Sequence, residues 1–247
     1  MATDLGTDTK HMKYQAILFD LDGTLLPMHE PAFVACFYRA LVDYVAPVGA
    51  SFEQVGEFLQ GSLAYVIAND GSRTNRQAFI DYYDSYQKKT GLHIDIEDME
   101  RFYATDFDAK VRVSCGCDPE AAQLINKVKD MHIPIIVATN PFFPRVATHT
   151  RLRWAGLNPS DFAEITTYED YHYCKPNLKY YQELFERTGL NPQRCLMVGN
   201  NVDEDMMAEK LGCDTFLVLR NLINARNADV SGYKQGTLGD LMTYLGQ

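Results

Sequence analysis

The chain has 247 residues, of which 46% are hydrophobic and 23% are charged, as in an ordinary globular protein. Its formal net charge is −10 and no basic stripe offsets that charge, which argues against non-specific binding of nucleic acid. No apolar run approaches the roughly 20 residues that span a bilayer, so the sequence predicts no membrane segment.

Residues 1–12 and the cysteines are the features that bear on the cellular compartment of the protein. Residues 1–12 are polar, lack the apolar core of a secretory signal, and are expected to form a disordered tail. The cysteines are scattered, and the close pair Cys115 and Cys117 lacks the spacing of a zinc site. Reduced thiols in a cytoplasmic protein are the simplest interpretation.

A buried strand runs into two acids near the start of the chain. Residues 14–19 carry no charge and include an isoleucine and a phenylalanine, which favour strands. Asp20 and Asp22 follow at alternate positions, so in extended backbone both carboxylates point the same way and need a cation or a proton between them. Gly23 permits a sharp turn, and Thr24 adds a hydroxyl.

The next segment, residues 28–110, changes character and reads as all-helical. Apolar residues recur there at helical spacing, with almost no strand pattern. The loop at residues 69–75 has turn chemistry, and its Arg73 could clasp an anionic substrate if the loop faces the acids. The predicted helices cover residues 30–45, 52–67, 74–89 and 96–107.

Residues 111–220 alternate between helix and strand. This rhythm predicts a parallel sheet with helices on both faces. A closing helix is expected at residues 238–245. The predicted strands cover residues 133–138, 162–166, 195–198 and 215–219, and the helices between them cover residues 119–131, 143–155, 177–188 and 204–211.

Two polar positions lie at the ends of these elements. Thr139 and Asn140 follow a buried strand, where a hydroxyl and backbone amides next to a helix start can hold phosphate oxygens. Lys175 stands just before a helix led by Pro176, where it could bridge a nucleophilic carboxylate and a phosphoryl oxygen.

These motifs resemble those of the haloacid dehalogenase-like (HAD) hydrolases, in the family's order. The apolar strand followed by Asp20-Leu21-Asp22-Gly23-Thr24 resembles the first motif, Thr139 the second and Lys175-Pro176 the third. The resemblance implies a Rossmann-like parallel sheet core, formed by residues 13–27 and 111–247, under a mobile helical cap at residues 28–110.

The fourth motif departs from the family. The family usually shows Gly-Asp and then a second acid, but here the residues after Gly199 are Asn200-Asn201. Counting from Gly199 puts Asn200 in place of the Asp, and counting back four from Asp205 puts Asn201 there; the second register is preferred. Either way a neutral amide oxygen replaces a carboxylate, which lowers the expected affinity for magnesium.

The resemblance implies a magnesium-dependent phosphatase acting on a small phosphorylated metabolite. Asp20 would be the nucleophile and Asp22 the general acid and base. Asp20, the Asp22 main-chain carbonyl, Asn201 and Asp205 would hold Mg²⁺. Thr139, Asn140, Lys175 and Arg73 would bind the substrate.

Alternatives stay open at this point. Dehalogenases of the family do not carry the second Asp, so Asp22 favours phosphoryl transfer over carbon–halogen hydrolysis. A sugar-phosphate mutase shares all four motifs, and the weakened fourth motif also suits a catalytically weakened binding or regulatory protein. The substrate and the oligomeric state are unknown from the sequence.

Overall fold

A parallel sheet forms the centre of the protein. The computed structural model describes residues 13–93 and 95–246, so the tail predicted for residues 1–12 lies outside the described residues. The strands are β1 (Ala16–Phe19), β2 (Ile135–Val137), β3 (Glu164–Ile165), β4 (Cys195–Gly199), β5 (Asp214–Val218) and β6 (Lys234–Gly236). They form one six-stranded sheet in the order β3-β2-β1-β4-β5-β6, and all pairings are parallel. The predicted α/β fold class is therefore confirmed.

The order of the strands places β1 where the chain reverses its direction across the sheet. The chain passes from β1 to β2 and β3 on one side, and then crosses to β4 on the other side of β1. In open parallel sheets, ligands bind at the carboxyl ends of the strands beside such a reversal. Asp20 directly follows β1 and is therefore at that place.

The segment between β1 and β2 is helical in its first part, as the sequence predicts. Its helices begin at polar caps: Ser51 forms a capping box with Gln54, and the side chain of Thr74 accepts from the backbone amide of Gln77. The fourth helix ends earlier than predicted, and the chain continues into a short π-helix, Phe107–Val111. The helices are α1 (Glu30–Val45), α2 (Phe52–Ile67), α3 (Asn75–Thr90) and α4 (Ile96–Ala104).

The remaining helices are α5 (Pro119–Asp130), α6 (Arg145–Trp154), α7 (Leu178–Thr188) and α8 (Leu238–Leu245). Of these, α5 precedes β2, α6 and α7 connect strands of the sheet, and α8 follows β6. The N-cap residues of α5, α6 and α7 are Asp118, Pro144 and Asn177. The side chains of Asp118 and Asn177 each accept a hydrogen bond from a backbone amide of the first turn. The helix predicted at residues 204–211 is shorter and of 3₁₀ type, Met206–Leu211.

The two faces of β1 belong to two hydrophobic clusters. Successive side chains of a strand point to opposite faces. Ile17 and Phe19 join the larger cluster, which includes residues of α1, α5 and α8, whereas Leu18 joins a cluster with Leu184 of α7. All residues of β1 are buried, so the strand that carries Asp20 is covered on both faces.

One helical stretch, Glu30–Val48, is long and apolar enough to cross a membrane by length and composition alone. The core helix of a globular protein passes the same test. Here Phe33, Phe37 and Leu41 of that stretch are buried in the larger hydrophobic cluster. The stretch is therefore weak evidence for a membrane span.

Candidate active site

A tight turn after β1 presents Asp20 at the edge of the sheet. The Asp20 amide still bonds to Val198 of β4 at 2.8 Å, and the turn then closes with the Leu26 amide on the Leu21 carbonyl, also at 2.8 Å. Gly23 has φ +85°, and a Cβ there would lie 2.4 Å from the Asn200 amide nitrogen. Glycine is therefore required twice at this position, for its backbone conformation and for the approach of Asn200.

Lys175 forms a charged cluster with two carboxylates on one flank of Asp20. Its Nζ donates to Asp20 Oδ1 at 3.0 Å and to Asp205 Oδ1 at 2.6 Å. Lys175 and Asp205 are both 1% exposed. Burial lowers the pKa of Lys175, but the charges of Asp20 and Asp205 outweigh burial and hold that pKa well above its usual range. The lysine is thus a permanent cation beside Asp20.

Neutral groups occupy the opposite flank of Asp20. The Thr24 hydroxyl lies 3.2 Å from Asp20 Oδ2 and 2.9 Å from the Asn200 amide oxygen, so the two oxygens converge on one donor. The Asn200 side-chain nitrogen donates to the Asn221 carbonyl at 2.6 Å. Asn200 is buried and held at both ends of its amide.

Of the two registers that the sequence leaves open, the geometry favours the one that puts Asn200 in place of the family's Asp. Asn201, the preferred candidate for the metal, turns its amide oxygen to the backbone amides of Asp203 and Glu204, at 3.1 and 3.3 Å. It therefore caps the following turn, while Asn200 faces Asp20. The reason is the close approach of the Asn200 side chain to Gly23 in the turn after β1.

Asp205 is also engaged by the protein rather than open to a cation. Its Oδ1 accepts from Lys175, and its Oδ2 accepts from the Asn201 amide at 2.9 Å. The structure thus brings Asp205 to the site in a different role from the metal ligand that the sequence suggests. It orients Lys175.

Residues after β2 tie the lysine loop to the sheet. The Asn140 amide oxygen accepts from the Lys175 backbone at 3.1 Å, and its nitrogen lies 3.1 Å from Glu204 Oε2. The Thr139 carbonyl accepts from the Thr166 hydroxyl at 2.5 Å. The structure therefore brings Thr139 and Asn140 to the same edge of the sheet as Asp20 and Lys175.

Two adjacent tyrosines of α7, which sequence reasoning missed, hold these loops. The Tyr180 hydroxyl donates to the Thr139 carbonyl at 3.1 Å, and the Tyr181 hydroxyl donates to the Glu204 carbonyl at 3.0 Å. Both side chains are fully buried. A pair of tyrosines one turn after the Lys-Pro motif is the signal that could have found them.

Sequence reasoning also missed Arg151 of α6, which forms an ion pair with Asp22 Oδ2. Arg151 is 1% exposed, and its guanidinium lies over the Phe143 ring at 4.5 Å from the ring centre. Burial raises the pKa of Asp22, and the Arg151 charge opposes that rise. The helical spacing from Ala147 to Arg151 to Trp154 puts this arginine on the buried face, which the sequence could have indicated.

Arg73 has a partner within the helical segment. Its guanidinium pairs with Asp81 at 2.5 Å and lies over the Tyr65 ring, and its side chain is 37% exposed. In the part of the chain that the structure describes, Arg73 is paired with neither Asp20 nor Lys175, so its role as an anion clasp stays a prediction.

The oxygen donors beside Asp20 are few for a divalent cation. Residues 13–93 and 95–246 contain no group of three His, Cys, Asp or Glu side chains that could hold a metal ion. The convergent oxygens of Asp20 and Asn200 are nevertheless the hard donors that Mg²⁺ prefers, and Mg²⁺ commonly binds through one or two carboxylates while it keeps several waters. The site therefore fits magnesium with a single carboxylate and a neutral amide.

Comparison with known proteins agrees with this fold. A family model described as haloacid dehalogenase-like hydrolase matches residues 14–212. A crystal structure of a HAD phosphatase from Thermococcus onnurineus superimposes with a TM-score of 0.59 at 21% identity, covering 94% of this chain and 98% of that chain. Structures of L-2-haloacid dehalogenases match as well, so the fold alone does not choose the reaction.

Two archaeal proteins named glyceraldehyde 3-phosphate phosphatase are similar in sequence. The one from Methanocaldococcus jannaschii is 25% identical over 230 residues, which is 92% of this chain and 95% of that protein. The one from Methanothermobacter thermautotrophicus is 34% identical over 70 residues, 28% of this chain, and the match spans only 31% of that protein.

Proposed function

The chain belongs to the haloacid dehalogenase-like hydrolases, and we propose that it is a magnesium-dependent phosphatase acting on a small phosphorylated metabolite. The observation that carries the proposal is the contact of the Lys175 ammonium group with the Asp20 carboxylate, at 3.0 Å. A second acid, Asp22, follows Asp20 two positions later in the chain. A buried cation beside a carboxylate at the end of β1 suits attack on an anionic phosphoryl group.

In the proposed reaction, a carboxylate oxygen of Asp20 attacks phosphorus and the ester P–O bond breaks. Asp22 gives a proton to the departing oxygen, which leaves as an alcohol. A water molecule then attacks the phosphoryl group on Asp20 and passes a proton to Asp22. Breakage of the Asp20–phosphoryl bond releases inorganic phosphate and restores both acids.

The other residues would bind and orient the phosphoryl group. Lys175 neutralises negative charge beside Asp20, and Asp205 and Asn140 hold Lys175 in place. The hydroxyl of Thr139 and the backbone amides of the turn after Asp20 provide donors to its oxygens. These groups are held by the sheet edge and α7, so they need little reorganisation.

Bound magnesium would neutralise phosphoryl charge and orient the substrate. Its ligands in this proposal are a carboxylate oxygen of Asp20, the main-chain carbonyl of Asp22 and the amide oxygen of Asn200. The convergence of the Asp20 and Asn200 oxygens on the Thr24 hydroxyl supports this choice over Asn201.

We propose that residues 28–110 act as a cap over the core of residues 13–27 and 111–247. The loop between α2 and α3 supports this, because it contacts the loops that carry the site. The Asn75 side chain donates to the Pro141 carbonyl, and the Asn69 side chain donates to the His172 carbonyl at 2.8 Å. The cap is therefore positioned to select the substrate.

The names of the two archaeal relatives suggest the first substrates to test. Both are named for glyceraldehyde 3-phosphate, a small phosphorylated metabolite. We propose a substrate of this size for this chain. The free state of all six cysteines supports action in the cytoplasm.

The neutral Asn200 also supports a second candidate, a catalytically weakened binding or regulatory protein. Magnesium titration separates the two. An enzyme is expected to bind Mg²⁺ and to hydrolyse phosphate esters at millimolar metal, whereas the regulatory protein would do neither with Asp20 intact.

Asp20→Asn tests the phosphatase. The variant is expected to lose at least about a thousandfold in kcat on p-nitrophenyl phosphate and on glyceraldehyde 3-phosphate, because the amide is a poor nucleophile. In the parent, mass spectrometry of acid-quenched protein should find a phosphoryl group on the peptide that contains Asp20.

Asp161→Asn is the matched control, since Asp161 pairs with Lys129 at the surface and should leave turnover unchanged. Undiminished turnover by Asp20→Asn would overturn the assignment.

A further inference from the structure

Arg151 is a buried charged group at the site to which the proposed reaction gives no role. It belongs to α6, the helix that begins shortly after Thr139 and Asn140, and it reaches across to Asp22, 129 positions earlier in the chain. Its side chain is 1% exposed. A buried cation is costly unless it is paired, so this contact is specific rather than a solvated surface pair.

The two oxygens of Asp22 have different surroundings. Oδ2 accepts from the Arg151 guanidinium, whereas Oδ1 is buried and has no hydrogen-bond partner. A buried carboxylate oxygen without a partner calls for an explanation, because leaving it unpaired costs free energy. A group that arrives with the substrate would supply the missing partner.

Arginine fixes one oxygen without exchanging protons. The guanidinium stays protonated in proteins, so the oxygen that it holds is not the one that gives or takes a proton. The guanidinium is itself fixed from two sides, by the Phe143 ring at 4.5 Å and by the Thr148 hydroxyl at 3.3 Å. The geometry therefore leaves Oδ1 of Asp22 as the oxygen available to exchange a proton.

We propose that Arg151 is a positioning residue for Asp22, which holds Oδ2 so that Oδ1 transfers the proton to the leaving oxygen of the substrate. The proposal rests on the phosphatase function proposed above. It assigns the helix after the second motif a part in acid catalysis. Arg151 itself contacts neither the phosphoryl group nor the leaving group.

The test compares two esters that differ in their need for a proton. A p-nitrophenolate ion departs without one, whereas the alkoxide of glyceraldehyde 3-phosphate must be protonated as it leaves. Arg151→Met keeps an unbranched side chain against the Phe143 ring and removes the guanidinium that pairs with Asp22. Its kcat/KM, which reports transfer of the phosphoryl group to Asp20 and not the later hydrolysis that both esters share, is expected to fall about a hundredfold on the alkyl ester and only about threefold on the aryl ester.

Asp22→Asn sets the reference for this asymmetry. It should show the same pattern, and Asp22→Asn combined with Arg151→Met should be little worse than Asp22→Asn alone on the alkyl ester, because both changes remove one function. The double variant also avoids an unpaired buried carboxylate. Arg153→Met is the matched control, an exposed arginine of the same helix, and should behave like the parent.

The outcomes separate this proposal from the phosphatase itself. Equal losses of kcat/KM by Arg151→Met on both esters overturn the positioning role while Asp22→Asn still shows its asymmetry. If Asp20→Asn turns over both esters like the parent, the phosphatase fails first. If Arg151→Met does not fold by circular dichroism, Arg151→Lys decides. It should lose about tenfold more on the alkyl ester than on the aryl ester, and equal losses overturn the proposal.

Discussion

The two flanks of Asp20 differ in charge. On one flank Lys175 is shared between Asp20 and Asp205, at 3.0 and 2.6 Å. On the other flank Thr24 and Asn200 carry no charge. On the charged flank each charge is paired within the protein, whereas on the neutral flank the side chains of Thr24 and Asn200 add no carboxylate to that of Asp20.

This difference indicates how the site divides its work. Groups on the charged flank are buried and cross-linked, so they are preorganised for an anionic phosphoryl group before any metal binds. The neutral flank lacks the second carboxylate that would attract a divalent cation strongly. We therefore expect substrate binding to depend on Lys175 and magnesium affinity to depend on Asn200, with separate consequences on mutation.

Lys175→Met breaks the charged flank and should have the largest effect. It leaves the Asp20 and Asp205 carboxylates buried without their cation, which should lower the free energy of unfolding by about 3–5 kcal/mol. The kcat on p-nitrophenyl phosphate should fall about a thousandfold, because a donor to the phosphoryl group is lost. Urea unfolding and steady-state kinetics measure the two effects.

Lys179→Met is the control for this variant, since Lys179 is an exposed lysine in the first turn of α7. It should change the free energy of unfolding by less than about 0.5 kcal/mol. Parent-like kinetics in Lys175→Met would remove the charged flank from the reaction.

Asn200→Asp sharpens the comparison by giving the neutral flank a charge. A second carboxylate beside Asp20 should raise the affinity for Mg²⁺ at least about tenfold, measured by calorimetry. Without metal the two like charges should repel, so the melting temperature should fall and then recover with added Mg²⁺.

Asn201→Asp is the matched variant one position later. Its side chain faces the backbone amides of Asp203 and Glu204, so its effect on Mg²⁺ affinity should be smaller. A larger gain in affinity for Asn201→Asp than for Asn200→Asp would restore the register that the sequence favours.

Local sequence patterns predicted most of the fold. The bounds of α1, α2 and α8 agree with prediction, because apolar spacing and caps such as Ser51 are encoded within each helix. β6 was missed since Lys234-Gln235-Gly236 is a short edge strand without an apolar pattern. The turn type at residues 206–211 depends on packing against α7 and β5, which a local pattern does not contain.

Short motifs, each made of a few consecutive residues, likewise indicated which loops meet at the site. The structure pairs Lys175 with Asp20, while the bridge from Lys175 to a phosphoryl oxygen stays a prediction. The choice between Asn200 and Asn201 depends on the contact of Asn200 with Gly23, which is remote in the chain, so counting along the motif cannot reveal it. Arg151, the partner of Asp22, is also remote in the chain and belongs to no motif.

The tyrosines of α7 allow the test with the smallest expected effect, which asks how α7 supports the loops beside the charged flank. Tyr181→Phe removes the donor to the Glu204 carbonyl at the start of the Asp205 turn, and should cost about 1 kcal/mol in the free energy of unfolding. Tyr180→Phe should cost less, because the Thr166 hydroxyl still donates to the Thr139 carbonyl at 2.5 Å. Urea unfolding of both variants measures the difference. If Tyr180→Phe costs as much as Tyr181→Phe, α7 supports both loops equally and does not favour the turn that orients Lys175.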